Sequence, residues 1–450
     1  MDLLLRTSRA STRNTFKRKP PLPRPPKIKN ETKMLGKILS IKTTIPNSSK
    51  QIEIYLNGRN LILTGANGCG KTRLIGHLYE HLEKRIVQQQ NPDRRSLMQQ
   101  LEHHKISLSR LSRADRQYKN TENSITSITL RIAEIDNAPI KCNNLEELII
   151  SYHDNKSIFA FFEAMRKSNI EPPYSASSFT SLKERDIGQR GISSSNLFES
   201  YLVSNMTSLA YAGSKQIGND PKEEKRIHNW FKKLDTDLQE LFEDPTLHLK
   251  FDPKTFSFFI HQEDREPYRF QQLSSGFSSI LSVYADLLTK IELRSIAPSD
   301  VTGIVFIDEI DAHLHVSLQK KIFRFLTTSF PKVQFIITTH SPFVVSSVDD
   351  AVIYDLTNLQ QVDDLSMYSY ESILEGLFDV NPISKLLENK IMELNNLASK
   401  ARPNIKKMTD LISEIAPHTE NLDSESMFFL KKAELVVNKK KSKARKPTDV

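Results

Sequence analysis

Cysteine is scarce in this chain, and long apolar runs are missing from it. The 450 residues include two cysteines, Cys69 and Cys142, which is too few for a disulfide framework and indicates a reducing, cytoplasmic compartment. No apolar run approaches the roughly 20 residues that cross a bilayer. These absences argue against a disulfide-stapled secreted domain and against a membrane-spanning protein, and we expect no membrane partner.

Basic residues are in excess, but they are concentrated at the two ends. The chain has a net charge of +9, of which residues 1–30 carry +8 and residues 438–450 carry +5, so the body between them is mildly acidic at −4. Residues 1–33 are rich in Lys, Arg and Pro, so we expect a disordered tail there. The folded pattern begins after Met34, a candidate working start. Basic tails can bind nucleic acid through its phosphates, and a solvated tail is the alternative interpretation.

A glycine-rich stretch follows the apolar run Leu61-Ile62-Leu63 and precedes a helical pattern. This order of strand, loop and helix is the context of a phosphate-binding P-loop. Glycine lets backbone N–H groups turn toward phosphate oxygens, a lysine supplies positive charge, and a threonine hydroxyl can ligate Mg²⁺. The predicted nucleotide-binding residues are Gly65, Ala66, Asn67, Gly68, Cys69, Gly70, Lys71, Thr72 and Arg73.

Two acids follow a second apolar run, at residues 303–307. Continuous apolar residues predict a strand buried on both faces of a parallel sheet. Asp308 fits the carboxylate that holds Mg²⁺ together with Thr72, and Glu309 is then placed to polarise the attacking water. The alternative interpretation is a pair of acids that emerge into solvent where the strand ends.

Polar residues also follow a third buried strand pattern and precede an apolar helix. His340 comes just after the run that begins at Val333, at the end of the sheet where open α/β folds bind ligands; we interpret it as a γ-phosphate sensor. Ser274, Ser275 and Gly276 open an apolar helical pattern and offer hydroxyl and N–H groups to a second anion. A plain helix cap is the alternative interpretation for these three residues.

Taken in order, these segments resemble the ABC-class ATPases, in their soluble branch with RecF, the SMC proteins and the OLD-type ATPases. The letters IDEIDAHLH at 307–315 and TTHSPF at 338–343 carry the resemblance, and Asp311 matches the D-loop. The resemblance implies ATP and Mg²⁺ as cofactors and catalytic roles for Lys71, Glu309 and His340. It also implies a head-to-tail pair of heads, in which Ser274, Ser275 and Gly276 act in trans on the partner's nucleotide.

The predicted fold class is α/β, a P-loop NTPase head with a mixed sheet. We expect the head at 34–90 and 139–367, a coiled-coil-like helical insertion at 91–138, a helical region at 368–437 and a basic tail at 438–450. The insertion either bends into a hairpin near Asp115 or packs against the same helix of another copy of the chain, and we favour the role between subunits. A β-hairpin is predicted around Asp154-Asn155, from strands at 148–152 and 158–162. Arg166 is interpreted as a surface arginine, with a side chain that points toward the nucleotide as the alternative. The last strand, from Ala351, is expected to close the sheet.

The resemblance supports two main hypotheses of function. Stand-alone heads without a fused nuclease resemble the ATPase subunits of anti-phage systems such as PARIS, Septu and related retron modules, so the chain is predicted to hydrolyse ATP, to oligomerise and to regulate a separate effector, a nuclease. The alternative is a RecF- or SMC-like repair or chromosome-maintenance ATPase that binds duplex DNA; the acidic body does not favour it.

Overall fold

The computed structural model describes residues 36–89, 94–113, 116–136, 138–166, 168–188, 193–363, 365, 368, 370–378, 385–400, 403–422 and 424–444. The predicted disordered tail at 1–33 lies outside the described residues. The predicted basic tail at 438–450 overlaps the last helix as far as Ala444, and its remaining residues also lie outside them. None of the described helices combines the length and the apolar character that a membrane crossing needs.

The described strands and helices follow one another along the chain with short connections. The strands are β1 Ile38–Thr44, β2 Gln51–Tyr55, β3 Asn60–Thr64, β4 Ile140–Cys142, β5 Ser157–Phe162, β6 His248–Asp252, β7 Ser257–Gln262, β8 Arg265–Tyr268, β9 Thr302–Ile307, β10 Val333–Thr338, β11 Ala351–Asp355 and β12 Gln360–Asp363. The helices are α1 Lys71–Ile86, α2 Arg94–Ser109, α3 Arg116–Asp136, α4 Leu145–His153, α5 Phe179–Gly188, α6 Phe198–Gly213, α7 Pro221–Phe242, α8 Ser275–Leu293, α9 Val316–Gln319, α10 Ile322–Ser329, α11 Pro342–Val345, α12 Tyr370–Phe378, α13 Lys385–Ala398, α14 Ile405–Ile415 and α15 Ser424–Ala444.

The central sheet has the strand order β12-β11-β3-β10-β9-β5. Its pairs are parallel except for β11 with β12, which is antiparallel. Successive side chains of β9 alternate between two apolar clusters, with Phe306 in the cluster around α1 and Ile307 in the cluster around α8. Because both faces are covered, the inner strands β3, β10, β9 and β5 are largely apolar. This mixed sheet with its P-loop connection confirms the predicted fold class.

Two smaller antiparallel sheets flank the central one. The strand order is β2-β1-β4 in the first and β6-β7-β8 in the second. The sequence prediction of a hairpin at 148–162 is wrong, because Leu145–His153 is the helix α4 and β5 pairs in parallel with β9. The expectation that the strand from Ala351 ends the sheet is also wrong, because β12 pairs outside it.

The insertion consists of α2 and α3, which pack against each other. Their shared apolar cluster is formed by Leu97, Leu101, Ile128 and Ile132. This pairing of Leu97–Leu101 with Ile128–Ile132 is that of a helical hairpin, the less favoured of the two predicted forms, and residue 115 lies outside the described residues.

The C-terminal helices divide into two groups. Ile373 and Leu377 of α12 belong to the large cluster on the α8 face of the central sheet. Helices α13, α14 and α15 instead bury a cluster of their own, which includes Leu394, Met408 and Leu430. Most of the apolar residues of this last group are therefore used for packing within the three helices.

Candidate functional site

The P-loop connects β3 to α1 at the carboxyl end of the central sheet. Gly65 has φ 135° and Gly70 has φ 103°, both in the region that favours glycine. A Cβ atom at Gly65 would lie 2.8 Å from the Thr357 hydroxyl oxygen. Helix α1 begins at Lys71 directly after Gly70, so its N-terminal N–H groups and positive dipole end face the loop. Ala66, Asn67, Gly68, Thr72 and Arg73 are exposed.

The Lys71 side chain returns into this loop. Its ammonium donates to the Gly65 carbonyl at 2.8 Å and to the Ala66 carbonyl at 3.2 Å, and it lies 3.5 Å from His340 Nδ1. Burial lowers the pKa of Lys71, and burial followed by the charge of Lys71 lowers the pKa of His340. Lys71 and His340 therefore favour the binding of an anion beside them, because a negative charge there would raise both lowered pKa values.

The acids after β9 are held by the neighbouring strand β10. Asp308 is buried, and its Oδ1 accepts a hydrogen bond of 2.5 Å from the Thr338 hydroxyl. The same hydroxyl accepts the backbone N–H of Glu309 at 2.7 Å. Thr338 therefore fixes both acids at the end of the sheet, where Lys71 and His340 also lie. Thr338 was not identified from the sequence; its place at the end of a buried strand is the signal that could have found it.

Asp311 and His340 belong to adjoining turns. The Thr339 hydroxyl donates to Asp311 Oδ1 at 2.6 Å and accepts the Ser341 N–H at 2.9 Å. The structure thus brings Lys71, Asp308, Glu309, Asp311 and His340 together at one edge of the sheet, a charged arrangement that a triphosphate and a divalent cation can complete.

Arg166 is the residue whose sequence interpretation is wrong. It is not a surface arginine, because its Nε is buried and its guanidinium donates to the carbonyls of Asp308, Glu309 and Ile310. Burial lowers the pKa of Arg166 to about 10, so it stays charged at neutral pH. Contacts with backbone carbonyls leave no motif in the sequence.

The residues predicted to act in trans lie at the start of α8. Ser274 and Ser275 are exposed, and no side-chain hydrogen bond from Ser274 caps the helix. A Cβ atom at Gly276 would lie 2.7 Å from the His313 carbonyl oxygen, so this helix start packs beside the turn that carries Asp311. Among the described residues, no hydrogen bond joins 274–276 to the P-loop of the same chain, and the two hydroxyls face outward.

The residues present fit a magnesium–nucleotide complex. No group of three or more His, Cys, Asp or Glu side chains that could hold a metal occurs in the described part of the chain. Mg²⁺ bound with a nucleotide needs only one or two protein ligands, since phosphates and water supply the others. Thr72 and Asp308 are the residues of suitable chemistry here.

The family model described as "AAA domain, putative AbiEii toxin, Type IV TA system" matches residues 78–346 of the chain. A retron Ec83 probable ATPase from Escherichia coli is 47% identical over 93 residues, which cover 20% of this chain and 17% of the relative. The Septu protein PtuA from Bacillus thuringiensis is 34% identical over 141 residues, which cover 30% of this chain and 35% of the relative. The chain therefore spans well under two thirds of either relative.

The solved structures to which the chain is similar include the SMC head domain from Thermotoga maritima. Its TM-score is 0.33 at 12% identity, with 71% of this chain and 94% of that chain covered.

Proposed function

Because the chain belongs to the family described as "AAA domain, putative AbiEii toxin, Type IV TA system", which agrees with the resemblance that the motifs indicated, we propose that it is an ATPase of anti-phage defence. In this proposal it binds ATP with Mg²⁺, hydrolyses it between two copies of the chain, and regulates a separate effector protein, a nuclease. The retron and Septu relatives support the defence role.

The observation that carries the proposal is the convergence of Lys71, Glu309 and His340 at one edge of the sheet. The P-loop N–H groups and Lys71 bind the phosphates, and Glu309 orients and polarises the attacking water. His340 contacts the terminal phosphate beside Lys71. Mg²⁺, held by Thr72 and Asp308 when bound, supplies charge neutralisation at the phosphates.

The exposed start of α8 supports the head-to-tail arrangement. Helix α8 presents the Ser274 and Ser275 hydroxyls outward with the positive end of its dipole. An exposed anion-binding surface of this kind can meet the triphosphate of a second copy. ATP then stabilises the closed pair, and hydrolysis removes the contacts that hold it.

The test compares two variants with the native chain by size-exclusion chromatography and phosphate release. Glu309→Gln is expected to bind ATP without hydrolysing it and to elute as a dimer or larger assembly only with ATP, because the closed state accumulates. Lys71→Ala is expected to lose ATP binding and to stay monomeric. Glu80→Gln, on the exposed side of α1, is the matched carboxylate control and should behave as the native chain. A Glu309→Gln protein that remains monomeric with ATP contradicts the dimer.

A further inference from the structure

The guanidinium of Arg166 binds three successive carbonyls in the turn after β9. Nη1 donates to Asp308 O at 2.8 Å, and Nη2 donates to Glu309 O at 3.2 Å and to Ile310 O at 3.1 Å. Nη1 also donates to Glu163 O at 3.0 Å, within its own segment. One side chain from the segment after β5 therefore holds the backbone of both acids at the candidate site.

The turn that Arg166 holds has a strained backbone. Glu309 has φ 44°, a left-handed conformation that costs a non-glycine residue about 1 kcal/mol or more unless the surroundings enforce it. Here the Thr338 hydroxyl accepts the Glu309 N–H from the β10 side, and Arg166 binds the carbonyls from the β5 side. The two contacts together fix the direction in which the Glu309 side chain leaves the sheet.

An arginine is suited to this task in a way that lysine is not. The planar fork of a guanidinium spans several acceptors at fixed geometry, whereas an ammonium is a compact point charge. Arg166 Nε is buried without a hydrogen-bond partner among the described residues. Such an unsatisfied group costs free energy, so the contact is not explained by stability alone.

The same segment reaches the helix start predicted to act in trans. We define the bridging segment as the described residues 163–166 and 168–170. Its Ser168 N–H donates to the Ser278 hydroxyl in the first turns of α8 at 2.9 Å. Gln271, just before that helix, donates to the Ile170 carbonyl at 2.9 Å. The bridging segment thus contacts one side chain on each side of Ser274–Gly276, those of Gln271 and Ser278, and through Arg166 it contacts the turn that carries Glu309.

We propose that Arg166 is a positioning residue for hydrolysis and that the bridging segment links the start of α8 to the orientation of Glu309. This inference rests on the proposed ATPase function. When a second copy contacts Ser274, a shift of α8 reaches Ser168 directly, and Arg166 transmits it to the three carbonyls. Hydrolysis is thereby tied to the arrival of the partner, although Arg166 contacts neither nucleotide nor water in this scheme.

The first experiment measures ATP affinity and single-turnover hydrolysis separately in Arg166→Lys. ATP affinity should change by less than about twofold, and the hydrolysis rate should fall about 100-fold, the loss typical of a catalytic group misplaced by about 1 Å. Met165→Ala, at a neighbouring side chain that is 90% exposed, should show neither effect. Unchanged hydrolysis in Arg166→Lys overturns the inference; a native chain that binds ATP but never hydrolyses it instead contradicts the proposed function.

A second arm separates positioning from folding. Added guanidinium ion should restore hydrolysis in Arg166→Gly by tenfold or more at millimolar concentration, and methylammonium should not, since it lacks the planar fork. A folded Arg166→Gly that hydrolyses ATP poorly and responds to neither ion contradicts the positioning role.

A third arm tests the link to α8. Ser278→Ala removes the acceptor of the Ser168 N–H, whereas Ser279→Ala removes a buried hydroxyl that has no hydrogen-bond partner among the described residues. The hydrolysis rate of Arg166→Lys combined with Ser278→Ala should deviate by about threefold or more from the product of the single effects, as expected for coupled groups. If the effects of Arg166→Lys and Ser278→Ala on the hydrolysis rate simply multiply, as those of Arg166→Lys and Ser279→Ala should, then the bridging segment does not link α8 to Arg166.

Discussion

Replacement of Thr338 by valine removes one hydroxyl and keeps the shape of a buried side chain. That hydroxyl donates to Asp308 Oδ1 and accepts the Glu309 N–H. Thr64 offers a matched control on the adjacent strand β3, because its hydroxyl is fully buried and has no hydrogen-bond partner among the described residues. The two substitutions therefore differ in the hydrogen bonds that they remove rather than in the volume that they change.

The expected magnitude follows from the two hydrogen bonds. A hydrogen bond to a charged group contributes about 1.5–3 kcal/mol, and a backbone N–H left without an acceptor costs about 1–3 kcal/mol. Thr338→Val should therefore lower the free energy of unfolding by about 3 kcal/mol. Thr64→Val should be neutral or slightly stabilising, because its unpaired buried hydroxyl is removed. Hydrolysis in Thr338→Val should fall about 100-fold, because Glu309 loses one of its two supports.

Urea unfolding followed by the fluorescence of Trp230, the single tryptophan of the chain, measures the first quantity, and phosphate release measures the second. Equal stability and equal hydrolysis in the two variants would refute the reasoning, because the Thr338 hydroxyl would then hold neither acid.

Three further predictions concern other parts of the head. Burial lowers the pKa of His81 to about 4 from an ordinary 6.5. As the pH falls, the unfolded chain therefore binds a proton at this histidine before the folded chain does. The free energy of unfolding should fall by up to about 2 kcal/mol between pH 6.5 and 4, allowing for solvent screening. His81→Gln should flatten this slope in urea titrations, and a slope unchanged from native would contradict it. Alkylation of Cys69 should abolish ATP binding, and bound ATP should slow the labelling; equal labelling rates with and without ATP would place that thiol away from the nucleotide. Gly65→Ala should weaken ATP binding tenfold or more, whereas Gly76→Ala, whose Cβ would meet open space, should not; equal affinities would show that the loop tolerates a Cβ.

The parts of the fold that were predicted correctly are those with an unambiguous pattern. The run before Asp308 is continuously apolar and the run before His340 is mostly apolar, and the structure has them as β9 and β10, neighbours in the parallel sheet. Strand ends in such a sheet lie at one edge, so residues distant in sequence could be expected to meet there. The gathering of Lys71, Asp308 and His340 followed from that rule.

The errors have physical reasons. The run at 148–152 is short and apolar, and periodicity alone cannot distinguish a strand from a buried helix in such a run. Leu148 and Tyr152 are four residues apart and would share a face in a helix and in a strand alike. Only the 62% exposure of Ile150 between them, which a strand would place on the same face, distinguishes the helix. Arg166 was misjudged because its partners are backbone carbonyls, whose positions depend on the tertiary fold and not on residue type.

The central claim is that one chain's P-loop and another chain's Ser274 share a nucleotide, and mixing two inactive variants tests it most directly. Lys71→Ala lacks a working P-loop, and Ser274→Arg places a bulky charge at the start of α8. Each should be inactive alone. Mixed in equal amounts, they should regain about a quarter of the native hydrolysis rate, because half of randomly formed two-fold dimers contain one intact shared site. Full hydrolysis by Ser274→Arg alone, or no recovery in a mixture that forms mixed dimers, would contradict the shared site.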